Sequence, residues 1–290
     1  MAILEPNLAE KQGVIYVVAT PIGNLEDISA RALSILANVD FIAAEDTRHS
    51  QRLLTHYQIS QKLVSLHEHN EYEKSHDLLN KILAGENMAL ISDAGTPLIS
   101  DPGQHFIQAA VSLGIKIIPI PGACAAITAL SAAGLNTKTF YFAGFLPAKS
   151  SHRKDVLHLL KNQSGTIILY EAPHRLLESL QDMLHVFGEH REIAVAKELT
   201  KQHEQIQKGS VQTLIAYFND HPDKVRGEFV ILIGEAEITE ESNQDKTLQA
   251  EQLAVLLKNL PLKQAVQIYC ELFAGAKNEI YELALGMKNS

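Results

Sequence analysis

Residues 88–103 read MALISDAGTPLISDPG. Met88 to Ile91 form an apolar run with no polar alternation, the pattern of a strand buried on both faces of a mostly parallel sheet. The run stops at Ser92-Asp93, and a loop of glycines and prolines follows. Ile-Ser-Asp-x-Gly is written twice, at Ile91–Gly95 and at Ile99–Gly103. Open α/β sheets bind ligands at the carboxyl ends of their strands. Asp93 is therefore a ligand candidate, and Gly95 lets the backbone turn or approach a ligand closely. The second copy has a structural reason to exist. Asp101 is expected to cap a helix running through Phe106–Val111, with Pro102 in its first turn.

Runs of the same style recur at 13–20 (GVIYVVAT), 39–45 (VDFIAAE) and 115–121 (IKIIPIP). Between them lie helical stretches such as SARALSILAN, with Leu33 and Leu36 on one face, and YEKSHDLLNKILAGE, which closes near a glycine. This alternation predicts an α/β fold with right-handed crossovers. A boundary is placed near residue 148, after FYFAGFLP, where AKSSHRK reads as a polar, basic connection. The second half predicts strands at 165–172, 192–199, 205–208 and 228–233, with helices through PHRLLESLQDMLHVF and Leu214–Phe218. Fewer helices per strand imply a mixed sheet. The expected division is 1–147 as an α/β domain, 148–236 as a second α/β domain, and 246–290 as a small helical unit after an acidic linker at 235–245.

The chain of 290 residues carries a net charge of −9. Phosphate binding runs on Lys and Arg, so a nucleic-acid role needs a local basic patch or a shaped site. Cys124 and Cys270 form no disulfide framework or zinc spacing, which fits a reducing, cytoplasmic setting. The opening MAILEPNLAEKQG lacks the apolar core of a signal peptide, and no stretch approaches the ~20 apolar residues of a membrane span. There is no GxxxxGK[ST], no GxGxxG after a strand and no GxSxG.

Several strand ends carry chemistry. ATPIGNLEDIS (19–29) offers a turn at Pro21–Gly23 and a helix cap at Asp27 or Ser29. AAEDTRHS (43–50) groups Glu45, Asp46 and Arg48, which either position a hydroxyl or phosphate or form an acidic helix start favoured by the macrodipole. In SLHEHNE, His67 and His69 would share one face of a strand. No further ligands at metal spacing accompany them, so polar contacts rather than a metal are expected. IPGACAAITALSAAGL (120–135) opens a helix of small residues, suited to close approach of a ligand or to tight helix-on-sheet packing. LYEAPHRLLESL gathers Tyr170, Glu171, His174 and Arg175, and AKELTKQHE gathers Lys197, Glu198 and Lys201.

In this order, YVVATPIGNLEDIS, AEDTRHS, LISDAGTPLISDPG, IPGACAAITAL, FAGFLP, YEAPHR, KELTK and GEFVILI resemble the tetrapyrrole-methylase superfamily of S-adenosylmethionine-dependent methyltransferases. The likeness spans roughly residues 14–233, and so many ordered blocks are more specific than any one. The resemblance implies a cytosolic homodimer of two α/β domains, with S-adenosylmethionine in the cleft between them. The members it most resembles methylate a cytidine ribose 2′-hydroxyl in the decoding region of 16S ribosomal RNA, on the assembled small subunit. Carried over by motif, Pro21, Ile22 and Gly23 would border the cofactor. Asp93, Gly95, Thr96 and Ile99 would contact it, Cys124, Ala125 and Thr128 would form a wall, and Leu146, Tyr170 and Ala172 would close the cleft.

Methyl transfer from a sulfonium is largely a matter of positioning, with help from a base near the hydroxyl. The candidates are Glu45, Asp46, Glu171, Lys197 and Glu198, with Arg48 on a phosphate. Lys149, Arg153 and Lys154, extended by Arg175 and Lys201, are the expected RNA-facing cations. Two rival readings are a methyltransferase acting on a tetrapyrrole, which has no need of a basic patch or helical tail, and a non-catalytic ligand-binding or assembly protein.

Overall fold

A computed structural model describes residues 12–235, 240–273 and 277–288. Two five-stranded sheets account for the strands. The first comprises β1 (Val14–Val18), β2 (Phe41–Ala44), β3 (Leu63–Ser65), β4 (Met88–Ile91) and β5 (Lys116–Ile120), in the order β3-β2-β4-β1-β5. All its pairings are parallel. Every residue of β2 and β4 is buried, as the unbroken apolar runs require. Because β2, β4 and β1 are adjacent and parallel, the loops after them emerge side by side.

Helices α1 (Ala30–Asn38), α2 (Thr47–His56), α3 (Glu71–Leu83), α4 (Gln104–Ser112) and α5 (Ala125–Ala132) follow these strands. Ser29 caps α1, its Oγ accepting the Ala32 N–H at 3.1 Å, and Leu36 buries that helix's inner face. The cap expected of Asp101 is corrected by the structure. Helix α4 starts at Gln104, two residues beyond Pro102: its cap is Gly103, at φ +112°, which offers no side chain, and the Phe106 N–H of the first turn is taken by Glu71 Oε1 at 2.7 Å. A left-handed residue makes that turn, which glycine tolerates without steric cost, and Asp101 is left for other contacts. His67 and His69 are also displaced from expectation, because β3 ends at Ser65. They lie in a turn, where the Asn70 side chain meets His67 Nε2 at 3.1 Å.

The second sheet runs β6 (Phe140–Phe145), β7 (Thr166–Glu171), β10 (Phe229–Ile233), β8 (Glu192–Lys197), β9 (Gln205–Ser210). Only β6 and β7 are parallel; the remaining pairs are antiparallel. Strand β6 thus joins the second sheet although it precedes residue 148. The basic stretch after it is not a connection but the start of α6 (Ser150–Leu160). Helices α6, α7 (Leu176–Phe187) and α8 (Val211–Asp220) share a core on one face, built on Leu157, Leu180, Met183, Leu214 and Ile231. On the other face lies α5. Its Ala126, Ala129 and Leu130 pack against Ile168, Ala194, Val230 and Leu232, and the small side chains permit the close approach. Helix α5 leaves the first sheet and rests on the second, so it ties the two together.

The chain divides into two compact units, Met1–Ala236 and Glu237–Ser290. The second contains α9 (Glu240–Asn259), α10 (Leu262–Phe273) and α11 (Lys277–Lys288) around Leu253, Val266, Tyr269, Ile280 and Ala284. Part of the expected acidic linker is therefore the first turns of α9; residues 236–239 lie outside the described residues. Among the described residues no helix is long and apolar enough to cross a membrane.

Candidate active site

A cavity of about 450 Å³ opens between the two sheets of the first unit. The first sheet contributes the loops after three strands: Ile22 after β1, Glu45 after β2, and Asp93 to Thr96 with Ile99 to Asp101 after β4. Cys124 and Ala125 at the start of α5 form the next wall. The second sheet closes it with Phe145, Tyr170 to Pro173, Leu199 and Gly227 to Val230.

These loops are locked to one another. Thr20 and Gly95 form a two-bond bridge, at 2.9 and 3.1 Å. Gly95 sits at φ +80°, and a Cβ there would stand 3.2 Å from Ile22 Cγ2. Thr96 donates its hydroxyl to the Ala123 carbonyl at 3.0 Å. Leu98 (φ +74°) and Ser100 (φ +71°) also hold left-handed backbone, a strain that persists only where surroundings over-determine it. Asp93 accepts the Asp46 N–H at 3.1 Å, linking the β4 loop to the start of α2.

Three carboxylates converge on this side. Burial raises the Glu45 pKa, and Asp93, Asp101 and Asp46 raise it further. Burial also raises that of Asp101, with Asp93 adding to the shift while a Ser92 hydrogen bond opposes it. Opposite, Tyr170 accepts the Ala126 N–H on its hydroxyl at 3.2 Å and packs edge-on against Phe142 and Phe145. Burial pushes its phenol up, so the proton stays on. The cavity offers an acidic floor and an apolar wall of Ile22, Leu199, Phe229 and Val230. That pairing fits a ligand that is cationic at one atom and apolar around it.

The cofactor candidates Ile22, Asp93, Gly95, Thr96, Ile99, Cys124, Ala125, Tyr170 and Ala172 line the cavity. Pro21, Gly23, Thr128 and Leu146 do not. Gly23 is covered by the Lys201 side chain, whose Cγ would lie 2.5 Å from an added Cβ. Leu146 is buried and gives its carbonyl to Arg175 Nη2. Asp101, Ser100, Phe145, Leu199 and residues 227–230 are additional walls. For Phe145, Leu199 and 227–230 a sequence signal existed, since FAGFLP, KELTK and GEFVILI contain them. For Asp101 the adjacent proline pointed to a different role.

Among the catalytic candidates, Glu45 and Glu171 line the cavity. Asp46 instead caps α2, accepting the Arg48 N–H at 2.8 Å and pairing with its guanidinium at 3.0 Å, which holds its carboxyl down at about 2. That is the helix-start alternative, and Arg48 is 89% exposed. Glu171 is committed to Arg175 at 3.2 Å, to the Ala172 N–H and to the Ser179 hydroxyl. Lys197 and Glu198 line a neighbouring cleft.

The expected RNA-facing patch is largely internal. Arg153 is 1% exposed, with Nε 2.6 Å from Asp182. Arg175 ties Glu171 to the Leu146 and Pro147 carbonyls. Lys201 bridges Glu198 and Glu228, each at 2.9 Å. Lys154 leans on Asp182 at 3.5 Å, and Lys149 is exposed. Among the described residues no group of three or more His, Cys, Asp or Glu is placed to hold a metal.

The profile described as Tetrapyrrole (Corrin/Porphyrin) Methylases matches residues 14–215, and one described as RsmI C-terminal HTH domain matches 247–288. The chain is 47% identical over 279 residues to Ribosomal RNA small subunit methyltransferase I of Haemophilus influenzae, covering 96% of this chain and 98% of that one. It is 49% identical to the protein of that name from Vibrio cholerae, covering 94% of each. Among solved structures, cobalt precorrin-4 methyltransferase superposes with a TM-score of 0.57 at 18% identity, over 76% of this chain and 94% of that one. Diphthine synthase gives 0.58 at 12%, over 77% and 90%. At those identities the structures share the fold.

Proposed function

This chain belongs to the tetrapyrrole methylase family, in the group of the ribosomal RNA small subunit methyltransferase I proteins, and from that premise we propose that it methylates 16S ribosomal RNA. The acceptor in this reading is the ribose 2′-hydroxyl of a cytidine in the decoding region of the small subunit. Members of the family use S-adenosylmethionine. The carrying observation is the cavity itself. Glu45, Asp93 and Asp101 present carboxylates against an apolar wall, which suits a ligand holding a sulfonium and an ammonium beside an adenine ring.

Bound there, S-adenosylmethionine supplies an electrophilic methyl group. The protein's own part is to hold and orient. Gly95, clamped by Thr20, lets the β4 loop pass close to the ligand. Tyr170 fixes the start of α5, where Cys124 and Ala125 form the wall. The Glu171–Arg175 pair anchors the Leu146-Pro147 carbonyls, and so acts on the cavity through its frame. Glu45 is the proton acceptor we favour. Its raised pKa makes its carboxylate a stronger base than Asp46, and such a base contributes roughly 10²–10⁴-fold.

The same reading places the protein in the cytoplasm as a homodimer. Phe140, Tyr141 and Phe145 on edge strand β6 are about half exposed, and light scattering of the purified chain reads the dimer directly. The test of function offers labelled S-adenosylmethionine together with small subunits, naked ribosomal RNA or a porphyrinogen. Label on a cytidine ribose in small subunits is the expected result. Label on the porphyrinogen alone would overturn the reading in favour of a tetrapyrrole substrate, and label on no acceptor would favour a binding protein.

A further inference from the structure

A second cleft of about 700 Å³ opens where β8 leaves its sheet. It is lined by residues 197–198, 202–205, 223–224 and 226–227, and Gly227 also lines the first cavity. The partition between the two is thin. A Cβ on Gly227 would sit 2.2 Å from Glu198 Oε1, and Gly227 holds φ +87°. Glu198 (φ +50°) and Thr200 (φ +66°) are also left-handed. That strained turn folds the Glu198 carboxylate back over Gly227.

Of the three acids in the cleft, Glu198 alone is paired with a cation among the described residues. Glu198 accepts the Lys201 ammonium at 2.9 Å and the Glu228 N–H at 3.0 Å, and Glu204 accepts the Thr200 N–H at 2.6 Å. Asp223 is the third, and it is exposed. The cations are differently placed. Among the described residues, no ion pair involves Lys197, Lys224 or Arg226. Lys224 is held over the Tyr217 ring, 4.9 Å from its centroid, and donates to the Tyr217 hydroxyl at 2.6 Å. An aromatic partner leaves its charge uncancelled. Arg226 is exposed, and His203 also lines the cleft.

We infer that this cleft holds the phosphate backbone of the RNA strand whose ribose enters the first cavity. The inference rests on the proposed RNA substrate and adds its path, along the β8–β9 turn and the approach to β10. It replaces the α6 surface, where Arg153 is sequestered. It also shows how a chain of net charge −9 can take a polyanion. Of the cleft's acids Glu198 is neutralised by Lys201 and Glu204 is turned to the Thr200 N–H, while Lys197, Lys224 and Arg226 enter no ion pair among the described residues.

The test compares Arg226→Gln, the Lys197→Gln/Arg226→Gln pair and, as a control, Lys62→Gln, an exposed cation ahead of β3. A fluorescent cytidine dodecamer is titrated at several salt concentrations, S-adenosylmethionine affinity is measured separately, and wild-type methylation of small subunits is assayed in parallel. Each phosphate contact on a single strand adds about 0.7 to the log–log salt slope. The expected result is a slope smaller by about 0.7 for the single variant and about 1.4 for the pair. Cofactor affinity and the control should not change. Unchanged slopes with wild-type methylation intact would overturn the cleft and leave the proposed function standing. A wild-type protein that neither binds RNA nor methylates small subunits would overturn both.

Discussion

Asp101 and Glu45 are ionisable groups in a cavity that raises both their pKa values, by burial first and by neighbouring carboxylates second. A cationic cofactor favours their ionised forms. Affinity for S-adenosylmethionine should therefore fall on acidification, with an inflection above the ordinary carboxylate range of about 4. Calorimetric titration between neutral and mildly acidic pH measures this. Asp101→Asn should weaken binding and flatten the profile. The stability sign is opposite. An acid whose folded pKa is raised gives stability that is present below its unfolded pKa and lost as pH rises through the folded one. Without cofactor, Asp101→Asn should thus be at least as stable as the parent at neutral pH, by thermal melt. Were Asp101 a helix cap, its loss would cost ~1 kcal/mol. At Gly95 the backbone decides. An alanine would be held left-handed, at ~1–2 kcal/mol, and pressed on Ile22, so Gly95→Ala should lower both stability and cofactor affinity.

Helix α6 shows at the level of an element how a charge can serve the core. Arg153 lies on the face that packs on α7, where Asp182 takes its Nε and Glu178 stands 3.5 Å from Nη2. Arg153→Ala would leave the Asp182 carboxylate buried without its main partner, and urea unfolding should show a loss of ~3–5 kcal/mol. Lys154→Ala, on a 37% exposed side chain, should cost under ~1 kcal/mol. Composition conceals this difference, because SSHRKD reads as solvated and the packing face is set by a partner some 29 residues away. Strands β2 and β4 were legible because burial on both faces leaves an unbroken apolar run, and β1 and β5 because they carry short runs of the same style, although β5 lies at the sheet edge. Cavity walls from the loops were legible through ordered motifs. What was not legible depends on a single backbone angle or on a distant partner. Gly103's left-handed turn releases Asp101 into the cavity, and Lys201 is spent on Glu198 and Glu228.

Across the whole molecule, every residue lining the cavity belongs to the unit Met1–Ala236, while Glu237–Ser290 is organised about its own core. Cofactor binding should therefore survive without the second unit. The HTH profile over 247–288 assigns that unit to a class of motif that docks on nucleic acid, yet residues 246–290 hold five Lys against four Glu. So balanced a segment adds little counterion release on binding. On the proposed function, its contribution to substrate recognition would come from shape and non-ionic contacts. A chain ending at residue 236 should bind S-adenosylmethionine as the full protein does, and should methylate small subunits with a higher KM. The dependence of log KM on log salt should keep its slope, since the slope counts phosphate contacts and the proposed ones are made by cations of the first unit. A shallower slope in the truncated chain would show that the helical unit makes ionic contacts of its own. A loss of cofactor affinity would show that the first unit does not complete its cavity alone.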